Sequence, residues 1–216
     1  LSTIHKDKGR VIVAHLGNGS SITAIKDGIS QATSMSFSTL DGLAMGTRSG
    51  NLDAGVILYL LEQGWDKNTL TELLYYQSGL LGLSGISSDV RVLIASEQAE
   101  AKFAIDYFVE HCARTIAAMA TSIQGIDRLV FTGGIGEHQA IIRTKIIEHL
   151  SWLGLKIQSH QNNKNSLHIS AIESSAEILC MQTDEQLKEI VRQKYSEIAL
   201  QDKETNMSSC CGAGGD

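Results

Sequence analysis

Four stretches of this sequence combine residue types that could bind a phosphate chain. They are HLGNGSS at 15–21, a single arginine at Arg48 within a long Ser- and Gly-rich segment, SSDVR at 87–91 and FTGGIGEH at 131–138. Glycine lets the main chain approach a ligand closely, and an arginine guanidinium stays charged at any ordinary pH. Each stretch is therefore a candidate part of an anion-binding site.

The first stretch predicts a glycine-rich hairpin. An apolar run at 11–16 is typical of a strand covered on both faces. Gly-Asn-Gly follows at 17–19, and a second alternating run then leads to the turn at Asp27 and Gly28. Exposed N–H groups of such a hairpin can form a concave site for an anion. From these residues alone, an ordinary hairpin with a bulge is an equally good interpretation.

The last stretch predicts a strand, a glycine turn and the start of a helix, where unpaired N–H groups favour anions. It lacks the dinucleotide-binding spacing, because Gly134 and Gly136 are followed by Gln139 instead of a third glycine. No acidic residue ends a following strand about 20 residues further on. The chain also has no Walker lysine, so a P-loop is excluded.

The elements that must position these stretches alternate along the chain. Three short strands come first, and helices and strands alternate afterwards, which predicts an α/β domain with a mixed sheet flanked by helices. Helices are predicted at 51–63, 69–77, 99–124, 138–153 and from Thr183, with strands at 127–132, 155–157, 167–169 and 177–181. The segments 35–50 and 158–165 read as loops, 79–91 reads as a glycine-rich passage, and 201–216 reads as a disordered tail.

Composition narrows the classes of partner. The 216 residues carry a formal charge of −6 without a basic stripe, which argues against nucleic acid. No apolar run reaches membrane-spanning length. Cys112 and Cys180 fall in apolar patterns and read as core thiols, whereas Cys210 and Cys211 are weak evidence for a metal site, so a reducing cytoplasm is expected. The polar opening at Leu1 suggests that the natural start lies elsewhere.

Five motifs, in this order and spacing, resemble the C-terminal half of the acetate kinase family. They are HLGNGSSITAIKDG, TSMSFSTLDGLAMGTRSGNLDAGV, GLLGLSGISSDVR, VFTGGIGEH and QTDEQL, within residues 10–192. The resemblance implies an actin-like ATPase (ribonuclease H-like) lobe over 1–200 that binds ATP or ADP. It implies an enzyme that moves the γ-phosphate of ATP onto a short-chain carboxylate, with acetate expected first, and uses Mg²⁺ or Mn²⁺. It also implies a homodimer.

The resemblance assigns roles to matching positions only. It makes Arg48 the stabiliser of the transition state and Glu185 the carboxylate that helps to position Mg²⁺. The phosphate side of the nucleotide is assigned to His15, Leu16, Gly17, Asn18 and Gly19. A second nucleotide segment comprises Asp89, Val90 and Arg91. The adenosine segment comprises Gly134, Ile135, Gly136, Glu137 and His138.

Structural roles are alternatives for each residue taken singly. His15 could be a core histidine, and Asp89 could cap a helix and pair with Arg91. Glu185 could complement a helix dipole. Arg48 could be an ordinary surface residue in a flexible loop, with no apolar neighbour to pack its stem. All of these roles together, in this order, are a much weaker explanation than one shared site.

The sequence departs from the family pattern in ways that affect function. Thr39 stands where the family usually has a proline that lines the pocket for the acid's methyl group, so propionate and butyrate stay open as substrates. His138 stands where the family usually has Asn. The family's N-terminal lobe, with its catalytic aspartate and acid-binding arginine, is absent from the chain. An alternative of another class is a non-catalytic module that binds nucleotide or dimerises.

Overall fold

A five-stranded mixed sheet organises residues 9–182, the part of the chain that the computed structural model describes. The strands are β1 (Arg10–Leu16), β2 (Ser20–Lys26), β3 (Ile29–Thr33), β4 (Arg128–Thr132) and β5 (Glu177–Cys180), in the spatial order β3-β2-β1-β4-β5. The first three strands pair antiparallel, and β4 and β5 continue the sheet parallel to β1. The prediction of a mixed sheet is confirmed.

The helices differ greatly in length. They are α1 (Ala54–Glu62), α2 (Lys67–Tyr76), α3 (Gly79–Ser84), α4 (Val90–Ala95), α5 (Ala99–Ser122), α6 (Gly133–His138), α7 (Ala140–His149) and α8 (Ser159–Asn163), with a 3₁₀ turn at Ser151–Leu153. Within residues 9–182, α5 is the longest helix, at 24 residues. The long helix predicted at 99–124 is thus confirmed.

The predicted hairpin turn between β2 and β3 is also confirmed. Asp27 and Gly28 both have positive φ, at 51° and 81°. A two-residue turn with positive φ at both positions matches the right-handed twist of the strands that it joins. The sequence pair Asp-Gly is favoured there for this conformational reason.

The main core lies between one face of the sheet and α5. From the sheet it includes Ile12, Leu16 and Phe131, and from α5 it includes Phe108 and Ile116, all at most 1% exposed. Each such side chain contributes about 1.5–3 kcal/mol through removal of apolar surface from water. This packing fixes the direction of β1 and β4, and with it the position of the loops that follow them.

A second, smaller cluster lies on another part of the sheet. Val11, Val130 and Leu179 are buried there, with Val13 and Met181 packed against them. Central strands that bury residues on both faces are expected to carry continuous apolar runs, as β1 and β4 do. The prediction that β1 is covered on both faces therefore agrees with the buried positions in this part of the chain.

The structure corrects the predicted first helix. Asp53, not Asn51, caps α1 by accepting a hydrogen bond from the Gly55 N–H at 2.7 Å. The Asn51 side chain instead accepts from the Gly42 N–H at 2.9 Å. Val56 and Leu61 were expected inside, yet α1 buries none of its residues. Apolar composition alone did not reveal that this helix is on the surface.

Several other predicted elements also differ from the structure. The polar segment at 158–165, predicted as a loop, contains α8, and the glycine-rich passage at 79–91 contains α3 and the beginning of α4. The helix predicted over 138–153 begins earlier, as α6, and breaks at Gln139, whose backbone angles of −105° and 80° are not helical. The predicted strands at 155–157 and 167–169 form only isolated bridges, through Ile157 and His168. In the glycine-rich and polar stretches, tertiary packing stabilised helices that the local residue preferences did not predict.

Some predictions fall outside the described residues. They concern the helix from Thr183, the tail at 201–216, the cysteine pair at 210–211 and the proposed metal ligand Glu185. By contrast, Cys112 and Cys180 are both buried free thiols, as predicted. Burial raises the pKa of both thiols. A raised pKa keeps them protonated and unreactive.

Candidate functional site

The ends of two parallel neighbours in the sheet define the candidate site. His15, near the end of β1, is opposite Thr132 at the end of β4. Because the strands are parallel, the segments that leave them emerge at the same edge of the sheet. The glycine turn at 17–19 and the turn at Gly133 therefore meet, although more than a hundred residues separate them in sequence. Ligands in open α/β sheets commonly bind beyond such strand ends.

The turn at 17–19 is a narrow loop held by hydrogen bonds between its own residues and Ser20. The Gly17 N–H donates to the Gly19 carbonyl at 3.2 Å. The buried Ser20 hydroxyl donates to the Gly17 carbonyl at 3.0 Å. Asn18, at its tip, is exposed, and its carbonyl accepts a hydrogen bond from the Gly46 N–H at 3.1 Å. The glycine hairpin is thus held against the loop that carries Arg48.

Gly133 shows why a glycine is required where the two strand ends meet. Its φ is +79°, and a Cβ at this position would lie 2.7 Å from the Leu16 carbonyl oxygen and 3.1 Å from His15 Cε1. A side chain there would both strain the backbone and push the strand ends apart. The close approach brings α6 beside His15.

Arg48 lies over the glycine hairpin. A Cβ on Gly19 would be 3.3 Å from an Arg48 guanidinium nitrogen. Arg48 Nη1 donates to the Thr39 carbonyl at 3.0 Å and lies 3.3 Å from the sulfur of Met45. Met45 is fully buried, and Arg48 itself is half-buried. The expectation of a flexible loop without apolar neighbours is therefore wrong, because residues 43–46 anchor the loop in the interior.

The SSDVR segment approaches the same loop from another side. A Cβ on Gly46 would lie 3.4 Å from the Ser88 carbonyl oxygen. Asp89 caps α4 by accepting from the Arg91 N–H at 2.8 Å, and its carboxylate also pairs with the Arg91 guanidinium at 2.6 Å. Hydrogen bonds from Arg91 lower the pKa of Asp89. The structural roles considered for this pair are thus observed, and they leave most of the Arg91 side chain exposed.

Residues of α6 divide into supporting and accessible positions. Glu137 is buried, and its carboxylate accepts from the Gly133 N–H at 3.0 Å, so this first N–H of α6 has a partner within the chain. Gly134 is exposed, and nothing lies within 4 Å of a Cβ placed on it. His138 is exposed on the same short helix. A ligand can therefore reach the main chain at Gly134 directly.

Several predicted site residues are enclosed by the fold, so they can shape the site but do not face a ligand. Leu16 and Val90 are buried at 0% and 2% exposure, and Gly136 is buried as well. His15 differs, because its side chain is exposed at the strand end. Partial loss of water lowers the pKa of His15, while the Glu137 carboxylate opposes that change. His15 is thus mostly neutral at pH 7.

Sequence reasoning missed Gly46 and Arg143. A Cβ on Gly46 would lie within 2 Å of the Asn18 amide oxygen, so this glycine admits the hairpin tip. No periodic pattern marks such a position. Arg143 is a fully buried arginine that hydrogen-bonds the carbonyl oxygens of Gly136 and Glu137 at the end of α6. Its position beside Ile142 and before Ile146 on the buried part of α7 was the available signal.

The described part of the chain contains neither a cluster of metal-binding side chains nor a helix that could span a membrane. Between residues 9 and 182, no three histidine, cysteine or acidic side chains are grouped so that they could hold a metal ion. None of the helices in that range combines the length and the apolar character needed to cross a membrane. The accessible features at the strand ends are glycine main chain, hydroxyls, an imidazole and guanidinium groups.

Comparisons with known proteins show which proteins this chain resembles. Residues 2–192 match the model of the acetokinase family. The acetate kinase of Rickettsia felis is 49% identical over 179 residues, which are 82% of this chain and 46% of the relative. A propionate kinase from Francisella tularensis has a TM-score of 0.80 at 42% identity, covering 86% of this chain and 49% of that one. Porphyromonas gingivalis acetate kinase has a TM-score of 0.79 at 37% identity, covering 83% and 47%. The chain thus spans about half the length of these relatives.

Proposed function

Because the chain belongs to the acetokinase family, whose fold is actin-like, we propose that it supplies the ATP-binding C-terminal lobe of an enzyme that phosphorylates a short-chain carboxylate. The products are an acyl phosphate and ADP, and the reaction is reversible. One observation supports this proposal most strongly. The glycine hairpin, Arg48, the SSDVR segment and α6 converge beyond the ends of β1 and β4, although they are far apart in sequence.

The proposed nucleotide lies across this edge of the sheet. Its phosphates face the hairpin at 17–19, where main-chain N–H groups and His15 can donate hydrogen bonds. Its nucleoside end lies over α6, where Gly134 is open. Ser88 lies beside Gly46, so the proposal places the adjoining segment at 89–91 at the border of the same space, with Arg91 exposed. Binding is expected to be weak in this chain alone, because half of a cleft leaves the phosphates solvated on one side.

Arg48 is the proposed transition-state stabiliser. Phosphoryl transfer spreads negative charge over three equatorial oxygens, so catalysis is mainly positioning and electrostatic stabilisation. A guanidinium held by the Thr39 carbonyl and the buried loop is already oriented before the reaction. Such preorganised charge costs little reorganisation when the transferring group passes.

A divalent cation, Mg²⁺ or Mn²⁺, is part of the proposal. When bound, it would supply positive charge that offsets the negative charge of the phosphates. Mg²⁺ keeps several waters and needs few protein ligands in kinases. Glu185 is the proposed carboxylate from this lobe, on the strength of the family resemblance.

Acetate is the proposed acceptor, with propionate or butyrate as the second candidate. A specific observation keeps the second candidate open. The Thr39 carbonyl contacts the Arg48 guanidinium, so residue 39 lies beside the proposed reaction centre. A similar solved structure is also that of a propionate kinase. A change from the family's proline to Thr39 is therefore placed where it could alter the pocket for the acid's alkyl group.

Calorimetric titration with ADP and Mg²⁺ tests the nucleotide part of the proposal. We expect weak, saturable heat with ADP and none with NADH. Saturable heat from NADH with none from ADP would instead support the dinucleotide-binding interpretation. A non-catalytic nucleotide-binding module would bind ADP but give no acyl phosphate, even when the N-terminal half is supplied.

Assembly and location complete the proposal. We propose a homodimer in the cytoplasm. The described helices include none that could span a membrane, and Cys112 and Cys180 are free thiols, as a reducing compartment favours. The exposed apolar residues of α1 offer a surface for a second copy, including Leu58 at 62% and Tyr59 at 58% exposure.

A further inference from the structure

Arg143 of α7 is the largest side chain that the fold encloses completely. It is 0% exposed. Burial removes water from the guanidinium and lowers the pKa of Arg143. Buried charges normally pair with an opposite charge. Within residues 9–182, however, the partners of Arg143 are neutral oxygens.

These neutral partners come from two separate segments. Toward α8, Nε donates to the Asn162 side chain, and Nη2 donates to the Asn162 carbonyl and the Asn165 side chain, all at 2.7 Å. Toward α6, Nη1 donates to the carbonyls of Gly136 and Glu137, at 2.7 and 3.0 Å. One planar group thus joins α8 to the end of α6.

The bonds to α6 satisfy carbonyls that the helix itself cannot. α6 ends at His138, and the last carbonyls of any helix lack partners within it. The break at Gln139 prevents α7 from continuing the ladder. The Arg143 guanidinium therefore donates the hydrogen bonds that these last carbonyls of α6 lack. Gly134, at the other end of α6, faces the solvent.

We propose that Arg143 is a positioning residue that holds α6 in the orientation needed to bind the nucleoside end of the nucleotide. This inference rests on the proposed function. It predicts a selective effect, because the hairpin at 17–19, which faces the phosphates, makes no hydrogen bond to Arg143. A merely structural role would weaken binding of every ligand together, or of none.

Titration of the Arg143→Lys variant tests this selectivity. Lysine keeps the charge but lacks the planar fork that reaches both segments. At a temperature where thermal melts show it folded, we expect the dissociation constant for ADP to rise about tenfold or more, the scale of lost hydrogen bonds to a charged group. Affinity for inorganic tripolyphosphate, the phosphate-only probe, should stay within about twofold of the unchanged chain.

Asn165→Gly is the matched control. It removes one acceptor of Nη2 but leaves both bonds to α6, and glycine tolerates the φ of 52° at this position. Its ADP affinity should remain near that of the unchanged chain. Equal losses of ADP and tripolyphosphate affinity in Arg143→Lys, or an unaltered ADP affinity, overturn the positioning role while the proposed function stands. An unchanged chain that binds no ADP overturns the proposed function, and this inference with it.

A second measurement covers the case in which Arg143→Lys does not fold. The chain labelled with ¹⁵N-arginine should give a protected Nε–H signal for the buried guanidinium. Addition of ADP should shift this signal, whereas tripolyphosphate should not. ADP binding without any shift overturns the inference.

Discussion

At the scale of single residues, Arg48 combines a structural contact with a proposed catalytic one. Its guanidinium bonds the Thr39 carbonyl and lies beside the glycine hairpin. We expect Arg48→Ala, in an enzyme that carries both halves of the family's chain, to lower kcat by roughly 10²–10³, the cost of one preorganised donor. The KM for ATP should change little, since the interaction strengthens only in the transition state.

Steady-state kinetics and thermal melts check this prediction together. Loss of the Thr39 contact should cost about 1 kcal/mol of stability, more than the surface position expected from sequence alone. Arg48→Lys should recover only part of kcat because it lacks the fork. Arg114→Ala, an exposed arginine on α5, is the control. A large fall in melting temperature with near-normal kcat would make Arg48 purely structural.

Gly134→Ala separates binding from stability. Nothing lies within 4 Å of the added Cβ, and the residue is in α6 with no positive φ. Alanine is favoured over glycine in helices by up to about 1 kcal/mol, so stability should be unchanged or slightly raised. ADP affinity should nevertheless fall, because the methyl group occupies the space where the main chain meets the ligand. Normal ADP affinity in calorimetry would place the nucleoside elsewhere.

At the scale of elements, a surface ion pair joins the start of β1 to the entry of β4. Arg10 donates from its main-chain N–H and its guanidinium to Asp127, at 2.8 and 2.5 Å. These hydrogen bonds lower the pKa of Asp127 to about 2. A carboxylate with a lowered pKa in the folded state stabilises above its unfolded pKa, and that stabilisation is lost as the pH falls toward 2.

We therefore expect Asp127→Asn to be less stable than the unchanged chain at pH 7. The difference in free energy of unfolding should shrink steadily between about pH 5 and pH 2, as the native carboxylate becomes protonated. Urea unfolding at several pH values measures it. Both side chains are partly exposed, so added salt should reduce the effect. A difference that stays constant with pH would show that the lost contact is not ionic.

The helix α1 is the element that carries the proposed dimer contact. It buries no residue completely, and most of its apolar side chains are exposed. We expect Leu58→Glu to shift the chain from dimer to monomer in light scattering, since a buried carboxylate at an interface is strongly disfavoured. Trp152→Glu, a change at a residue 71% exposed in another part of the structure, should leave the dimer intact. A monomeric unchanged chain would refute the assembly.

At the scale of the whole molecule, a chain that spans half of the family's length should bind the nucleotide without transferring its phosphoryl group. We expect this chain to form no acyl phosphate from ATP and acetate. Activity should appear only when the N-terminal half of a relative is added or joined to it. A hydroxamate assay of acyl phosphate measures both conditions. Full turnover by the chain alone would mean that the catalytic groups have been placed wrongly.

Sequence patterns predicted the order of the elements better than their contacts. Apolar runs identified β1 and β4, and the three- and four-residue spacing in α5 identified a buried helix. The parallel pairing of β1 with β4 could not be read locally, because it depends on packing against α5. The grouping of the proposed site segments came from the family resemblance and not from local periodicity.

Contacts that depend on three-dimensional proximity explain the remaining errors. Gly46 matters because Asn18 needs its space, and no neighbour in sequence reveals this. α1 reads as a core helix because its composition is apolar, whereas its position in the fold leaves it exposed. Arg48 was expected to be loosely held because its loop is rich in serine and glycine, yet the loop is anchored through the buried Met45.

The parallel pairing of β1 and β4 also sets the timing of folding during synthesis. Arg10 and Asp127, whose side chains meet beside this pairing, are 117 residues apart. The β1-β2-β3 meander can form soon after it leaves the ribosome, but β1 then presents an open hydrogen-bonding edge until β4 arrives. Because synthesis proceeds at about 5–20 residues per second, this edge of β1 stays unpaired for several seconds in the cell. An apolar strand with an open edge is prone to aggregate, so chaperone demand during translation should be greatest before β4 emerges.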